Sequence, residues 1–275
     1  MYVYRAVCQT EWSATPGLHK GQSSLPSSSL STPRTSATAV RLATFRSFLM
    51  TLQWWDASGG DEREYRTVVD NFVTWSEKNH LQLNVTKTKE LVVDLRRTKA
   101  AVTPISIHGV SVDMVEEYKY LGVYLDNKLD WSRNVDAVYK KGQSRLYFLR
   151  RLRSFDICRT MLRMFYESMV ASAIMYAVVC WGSSLRVRDT NRLNKIIRKA
   201  GHVVGEELDS LTVVSDRRML TKVRTILDSP SPTLHGVLAN LKSSFSHRLL
   251  LPRCSTERHR KSFLPVAIKL LNSVL

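Results

Sequence analysis

Between Glu62 and Asn79 apolar side chains return every three or four positions, at Tyr65, Val68, Val69, Phe72 and Trp75, with Ser76 beside the last. That spacing lays one stripe along a helix, and Asn79-His80 suits its end. The period then shortens. Leu81 and Leu83 predict a short extended piece, Glu90 to Leu95 a longer strand, and Ile105 and Ile107 alternate. His108-Gly109 suits a tight turn before Val110 and Val112. Tyr118 to Leu125 reads as one further strand. Residues 61–127 are expected to form one helix with a small antiparallel sheet.

Beyond Trp131 the helical spacing comes back. Val135, Val138, Gly142, Leu146 and Leu149 line one face, and Arg133, Lys140, Tyr147 and Arg151 fall on the opposite one. Ile157 to Val179 predicts a long apolar helix with a kink. Asp189 to Ala200 predicts another, with Leu193, Ile196 and Ile197 inward and Gly201 as its stop. Residues 128–228 thus read as a helical domain. Ser229-Pro230-Ser231-Pro232 marks a linker, and Leu264 to Leu271 a last amphipathic helix in a basic tail over 229–275.

Residues 1–60 differ from the rest. Thr10 to Thr38 is rich in Ser, Thr and Pro and holds no period, which predicts disorder. Val40 to Trp55 is apolar enough for a short helix but has no visible partner. The fold class is therefore α+β: a small antiparallel sheet with one helix, then a helical bundle, behind a disordered N-terminal tail.

Composition adds a partner class. Hydrophobic residues make up 44% of the 275, enough for a core, while 41 Lys and Arg outweigh 24 Asp and Glu to give a net charge of +17. Such an excess attracts phosphate-rich partners and says nothing of fold. Cys8, Cys158, Cys180 and Cys254 are scattered and read as reduced thiols of an intracellular protein, nuclear or cytoplasmic. The uncharged run Ser168 to Leu185 approaches the roughly 20 apolar residues of a membrane span. Its serines dilute it, so a buried helix and no membrane partner are expected. The Arg-rich, acid-poor first fifty residues suit a mitochondrial presequence or a disordered tail; the tail is the reading taken.

The placement of charge sharpens this. From Ser132 to Ala200 the acids are Asp136, Asp156, Glu167 and Asp189. Lys140 and Arg151, with Arg145, Arg150 and Arg153 nearby, crowd the first helix of the bundle. Arg188, Arg192, Lys195 and Lys199 follow a 4-3-4 spacing on another. A solvated face normally mixes signs, so the bias predicts weak, sequence-independent contact with RNA or DNA. His247, Cys254 and His259 lack a fourth ligand at suitable spacing, and no metal or other cofactor is expected.

The order Asn79-x-Leu81-x-Leu83-Asn84-x-x-Lys87-Thr88, then Gly109, then Tyr118-Lys119-Tyr120-Leu121-Gly122, resembles the reverse transcriptases of LINE-type (non-LTR) retrotransposons just downstream of their catalytic carboxylates. The resemblance starts near Asp61 and runs to the C-terminus, where Arg253 to Pro265 is similar to the tail of fish-type LINE reading frames. It implies a distal palm and primer grip over 61–127 and a thumb over 128–228. It further implies that Lys87 lies near the incoming nucleotide, that Asn84 and Thr88 shape its turn, and that Tyr118, Tyr120 and Gly122 grip the primer. The nucleic-acid contacts expected in all are Lys87, Tyr118, Tyr120, Gly122, Arg133, Lys140, Arg151, Arg188, Arg192, Lys195 and Lys199.

The family's aromatic-Ala-Asp-Asp box does not appear. Before Asp61 the acids are Glu11 and Asp56, and Asp61-Glu62 stands where acids favour a helix start. Nucleotidyl transfer needs two metal ions held by paired carboxylates, so a degenerate, catalytically inactive fragment that binds nucleic acid nonspecifically is expected. Two alternatives stay open. One is a helical protein-interaction module with incidental charge. The other is an accessory module, since the Asn79–Gly122 pattern also resembles the N-terminal domain of the alkylated-DNA-repair AlkB homologue. That name implies an iron oxygenase or a tRNA methyltransferase. No histidine opens a His-x-Asp pair, and no Gly-rich βα turn with a following acid is found, so neither chemistry is expected.

Overall fold

Helix α1, Glu62–Lys78, buries Tyr65, Val69, Phe72 and Ser76 along the side that the sequence stripe marks, while Trp75 stays exposed. The structure is a computed structural model that describes residues 3–9, 12–14, 51–56, 62–94, 102–229, 233–246, 248–254 and 256–274. It divides into two units, Met1–Leu129 and Asp130–Leu275.

In the first unit, strands β1 (Val3–Gln9), β2 (Trp12–Ala14) and β3 (Thr51–Asp56) precede α1. After it come β4 (Leu81–Leu83), a 3-10 turn at Val85–Lys87, β5 (Lys89–Asp94), β6 (Ser106–Ile107), β7 (Val110–Ser111), β8 (Asp113–Val115), β9 (Glu117–Tyr120) and β10 (Val123–Asp126). The largest sheet has four strands in the order β3-β1-β5-β8. It is antiparallel except for β5 and β8, which run parallel, so the sheet is mixed. Tyr65, Val69, Phe72, Leu83, Ile105, Ile107 and Val112 form one buried cluster.

Glu90 on β5 is fully buried within this unit. Tyr65 Oη donates to its Oε1 at 3.1 Å, and the Ile105 backbone N–H donates to its Oε2 at 3.2 Å. One carboxylate therefore joins α1, β5 and the approach to β6. A buried charge is tolerable only with such donors.

The expected N-terminal tail over 1–60 holds strands at 3–9, 12–14 and 51–56 among its described residues, and Ala6 pairs with Trp54 on one side and Leu91 on the other. The β-prone Val3, Tyr4 and Val7 favour an extended chain, a signal outweighed by the Ser/Thr/Pro-rich stretch that follows. Residues 15–50 of that tail lie outside the described residues. The single strand expected from Tyr118 to Leu125 is a hairpin, with Tyr120 opposite Val123. Leu121 (φ 45°) and Gly122 (φ 86°) make its turn, as His108 (φ 51°) and Gly109 (φ 75°) make that of β6 and β7. A two-residue turn with both φ positive matches the twist of the flanking strands. Leucine in that conformation is costly, which is why the sequence concealed the reversal.

The second unit is helical: α2 (Ser132–Arg153), α3 (Arg159–Phe165), a π-helical turn (Tyr166–Ala171), α4 (Ser172–Ile174), α5 (Val178–Trp181), α6 (Val187–Val204), α7 (Leu211–Asp228), α8 (Thr233–Asn240), α9 (Glu257–Arg260) and α10 (Phe263–Asn272). The expected face of α2 is the buried one: Val135, Val138, Gly142, Leu146 and Leu149. Helix α6 lies along it, with Arg186 beside Asp130, Arg192 beside Asp136 and Ile196 over Gly142. Partners that rise together in number mean the two helices run parallel. Gly142 lets them approach, since a Cβ there would stand 3.1 Å from Ile196 Cδ1 and 3.3 Å from Ile174 Cγ1.

The apolar stretch Arg159–Ser184 has the length and hydropathy of a membrane-crossing helix. It is broken, however, at Ala177 (φ 50°), and Leu162, Val170, Ile174, Val178 and Trp181 are buried. The break is hydrogen-bonded from two sides: Arg218 Nη1 donates to the Met175 carbonyl at 2.7 Å and Trp181 Nε1 to the Tyr176 carbonyl at 3.0 Å. Helix α6 does not stop at Gly201. It continues to Val204 and ends on Gly205 (φ 85°), whose N–H returns to the Gly201 carbonyl.

Helix α7 was not foreseen. Ser210 Oγ accepts from the Val213 N–H, and Asn194 of α6 accepts from the Leu211 N–H, so two of its open donors are met. It contributes Met219, Val223 and Ile226 to a core shared with Leu238, Leu249, Ala267, Ile268 and Leu271. The last of the expected helices is α10. Of the Ser229–Pro232 linker, residues 230–232 lie outside the described residues.

Candidate nucleic-acid interface

In the first unit, Asn84 organises the turn that carries Lys87. Its Oδ1 accepts from the Lys87 N–H at 3.2 Å and from Thr86 Oγ1 at 2.8 Å, while Thr88 Oγ1 donates to the Asn84 carbonyl at 2.8 Å. Thr88 is buried and Lys87 exposed. Asn84 and Thr88 thus shape the turn as expected, and it displays the lysine.

The hairpin of β9 and β10 carries the three residues expected to grip a primer. Tyr118 and Tyr120 share one side of β9 by the two-residue alternation, and both are half-buried. The alternate side presents Glu117 and Lys119, and Lys119 Nζ sits 5.5 Å from the centre of the Tyr124 ring. Gly122 is accounted for by its turn geometry, and both Leu121 and Gly122 are exposed at the tip.

In the second unit the two basic stripes part company. On α6, Arg188 and Lys195 are exposed and Lys199 is half-buried. Arg192 is engaged within the unit: Nη1 donates to Asp136 Oδ1 at 2.9 Å and lies 3.4 Å from Asp189 Oδ1, and the guanidinium rests 4.5 Å from the centre of the Tyr139 ring. The hydrogen bond to Asp136, with help from Asp189, raises its already high pKa. Arg192, expected to contact phosphate, links α6 to α2 through Asp136 and Tyr139. The 4-3-4 spacing holds, but its stripe runs along the seam with α2, where Asp136 is waiting.

On α2, Arg133, Lys140 and Arg151 are exposed on the face opposite the core. Arg145 leaves the set, because Nη1 donates to the Met169 carbonyl in the π-helical turn at 2.5 Å. Lys141, Tyr147, Phe148 and Phe155 belong to the exposed surface with Lys140 and Arg151. Arg151 lies 5.2 Å from the centre of the Phe155 ring, and the Tyr147 and Phe148 rings meet edge to face at 5.6 Å. The sequence reading had Tyr147 on this face but not Phe148 or Phe155. Their i+4 and i+7 spacings from Ser144 and Phe148 would have found them.

His247 lies outside the described residues, and the Cys254 thiol donates to the Pro252 carbonyl at 3.3 Å. Among the described residues no group of three or more His, Cys, Asp or Glu is placed to hold a metal ion.

A known protein and a protein family share features with this chain. Over 140 residues, half of the chain, it is 26% identical to the "Probable RNA-directed DNA polymerase from transposon BS" of Drosophila melanogaster; that match spans 15% of the relative's length. Residues 131–172 match the family described as alkylated DNA repair protein alkB homolog 8, N-terminal. That match covers α2, α3 and the π-helical turn, not the 79–122 segment on which the sequence reading had placed it. No solved structure matches the chain. The chain is therefore similar both to part of a transposon reverse transcriptase and, over its first two bundle helices, to the AlkB-homologue module.

Proposed function

We propose that this chain is a catalytically inactive relative of the distal part of a retrotransposon reverse transcriptase, and that it binds RNA or DNA without sequence preference. The observation that carries the proposal is the outer face of α2. Arg133, Lys140, Lys141 and Arg151 are exposed there, and the helix's acid, Asp136, is engaged by Arg192. A cationic face whose acid is already engaged suits a phosphate backbone. The similarity to a transposon polymerase supports the same partner. The chain contains no Asp-Asp pair with which to hold the two metal ions of nucleotidyl transfer.

A protein-binding reading has one observation in its favour. Met161, Met164 and Met169 are exposed along α3 and the π-helical turn, and methionine adapts readily to partner surfaces. The AlkB-homologue module covers the same stretch and belongs to this reading.

Two assays on the full chain separate these. With a primed template, nucleotides and Mg²⁺ or Mn²⁺, extension should not exceed that of a blank. With labelled oligonucleotides, affinity should fall steeply as salt rises. Extension that survives repurification refutes the first half of the proposal, and a salt-independent signal refutes the second.

A further inference from the structure

We infer that the outer face of α2, together with the turn that follows it, is a stacking platform for the unpaired bases of single-stranded nucleic acid, with Tyr147, Phe148 and Phe155 receiving bases and Lys140, Lys141 and Arg151 receiving phosphates. This rests on the nucleic-acid reading above and narrows it to one class of ligand.

The argument begins with three aromatic side chains in water. Tyr147 is 62%, Phe148 54% and Phe155 63% exposed. Burying such a ring is worth roughly 1.5–3 kcal/mol, and the core side of α2 is already filled by Val135, Val138, Leu146 and Leu149. Isolated exposed apolar residues need no explanation. Tyr147 and Phe148 on the last two turns of α2, with Phe155 in the turn that follows Arg153, form a patch that marks an interaction site.

The chemistry of the patch selects the ligand. Cations accompany the rings: Lys140 and Lys141 stand about two turns before Tyr147 and Phe148, and Arg151 lies over Phe155 at 5.2 Å. Tyr147 and Phe148 meet edge to face at 74° rather than stacking on one another. Nearby acids are few: Asp136 is held by Arg192, Glu167 by Arg163, and Asp156 is exposed just past Phe155. Alternating cations and open rings is the arrangement that binds a strand whose bases are free to stack. In a duplex the bases are stacked on one another, so the same face would meet phosphates alone. A purely apolar protein partner would leave the lysines and Arg151 without opposite charge.

The test uses the full chain and fluorescence anisotropy at fixed salt. The probes are a 12-mer of RNA, the same sequence as DNA, and a duplex with the same number of phosphates. The parent should bind both single strands at least about thirtyfold more tightly than the duplex, as two or more base–ring contacts imply. Substituting Tyr147→Leu, Phe148→Leu and Phe155→Leu together keeps apolar bulk and removes the rings. It should erase that preference while leaving duplex affinity, the salt dependence and the circular dichroism unchanged. A triple variant that retains the preference, or a parent that binds strand and duplex alike, overturns the platform but leaves general nucleic-acid binding standing. A parent that binds none of the three probes overturns both.

Discussion

Arg192 Nη1 lies 2.9 Å from Asp136 Oδ1, and this contact fixes α6 beside α2 in the second turn of each helix. The guanidinium also covers Tyr139 at 4.5 Å. Arginine supplies a planar fork and a stacking face together, which lysine cannot. Arg192 is therefore a structural residue in a region otherwise dressed for binding. Arg192→Ala should lower the stability of the helical unit by about 1 kcal/mol, the sum of a partly exposed ion pair and a cation–π contact. Arg192→Lys should recover only part of that loss. Nucleic-acid affinity at a temperature well below unfolding should move less than twofold in either variant. Thermal melts and anisotropy on the same samples check both halves.

In the first unit, Tyr65→Phe removes a donor from a carboxylate that no water can reach. Leaving a buried polar group short of a partner costs about 1–3 kcal/mol. The midpoint of chemical unfolding should fall accordingly. Glu90→Gln in the Tyr65→Phe background should restore part of the loss, because the uncharged amide needs less solvation. Both are measured by urea titration.

Much of this was legible in the sequence. The stripe through Tyr65, Val69 and Phe72, the core face of α2 and the turn at His108-Gly109 are local patterns, read at the spacing of the element that forms them. What was not legible depends on partners distant in sequence. Glu90 looked like any strand residue until Tyr65 and Ile105 closed on it. Arg192 looked like a phosphate contact until Asp136, 56 residues earlier, was found beside it. The strand at Val3–Gln9 acquires meaning only from β3 and β5, far along the chain.

Helix α2 supplies a pH-dependent term. Asp130 Oδ1 accepts from the Ser132 N–H at 2.8 Å, while Oδ2 lies 3.4 Å from Arg186 Nη2. The Ser132 backbone hydrogen bond chiefly, aided by the Arg186 charge and opposed by partial burial, lowers the Asp130 pKa below 3.8. A lowered carboxylate contributes stability that is complete above its unfolded value and lost as pH falls through the folded one. Asp130→Asn keeps the acceptor and removes the charge. It should be less stable than the parent by about half a kcal/mol near pH 6, and the gap should close as the pH drops below 3.8. Urea midpoints at the two pH values report it.

The tip of the β9–β10 hairpin carries strain that can be relieved. Leu121 holds a φ of 45° and is 53% exposed. Asparagine tolerates that region far better than leucine. Leu121→Asn should stabilise the first unit by about 1 kcal/mol, whereas Gly122→Val, at φ 86°, should destabilise it. Hydrogen exchange of the Tyr120 and Val123 amides would register both changes.

The central claim is that the charge on the outer face of α2 meets phosphates. It is tested most directly by reversing that charge, with Lys140→Glu and Arg151→Glu in one chain, and following single-stranded RNA binding through a salt series. For the parent, log affinity against log salt should be linear, with a slope of about −0.7 for each phosphate neutralised. The double variant should bind more weakly, with a slope shallower by about 1.4 and unchanged helicity. Equal affinity and equal slope in the two proteins would contradict the account.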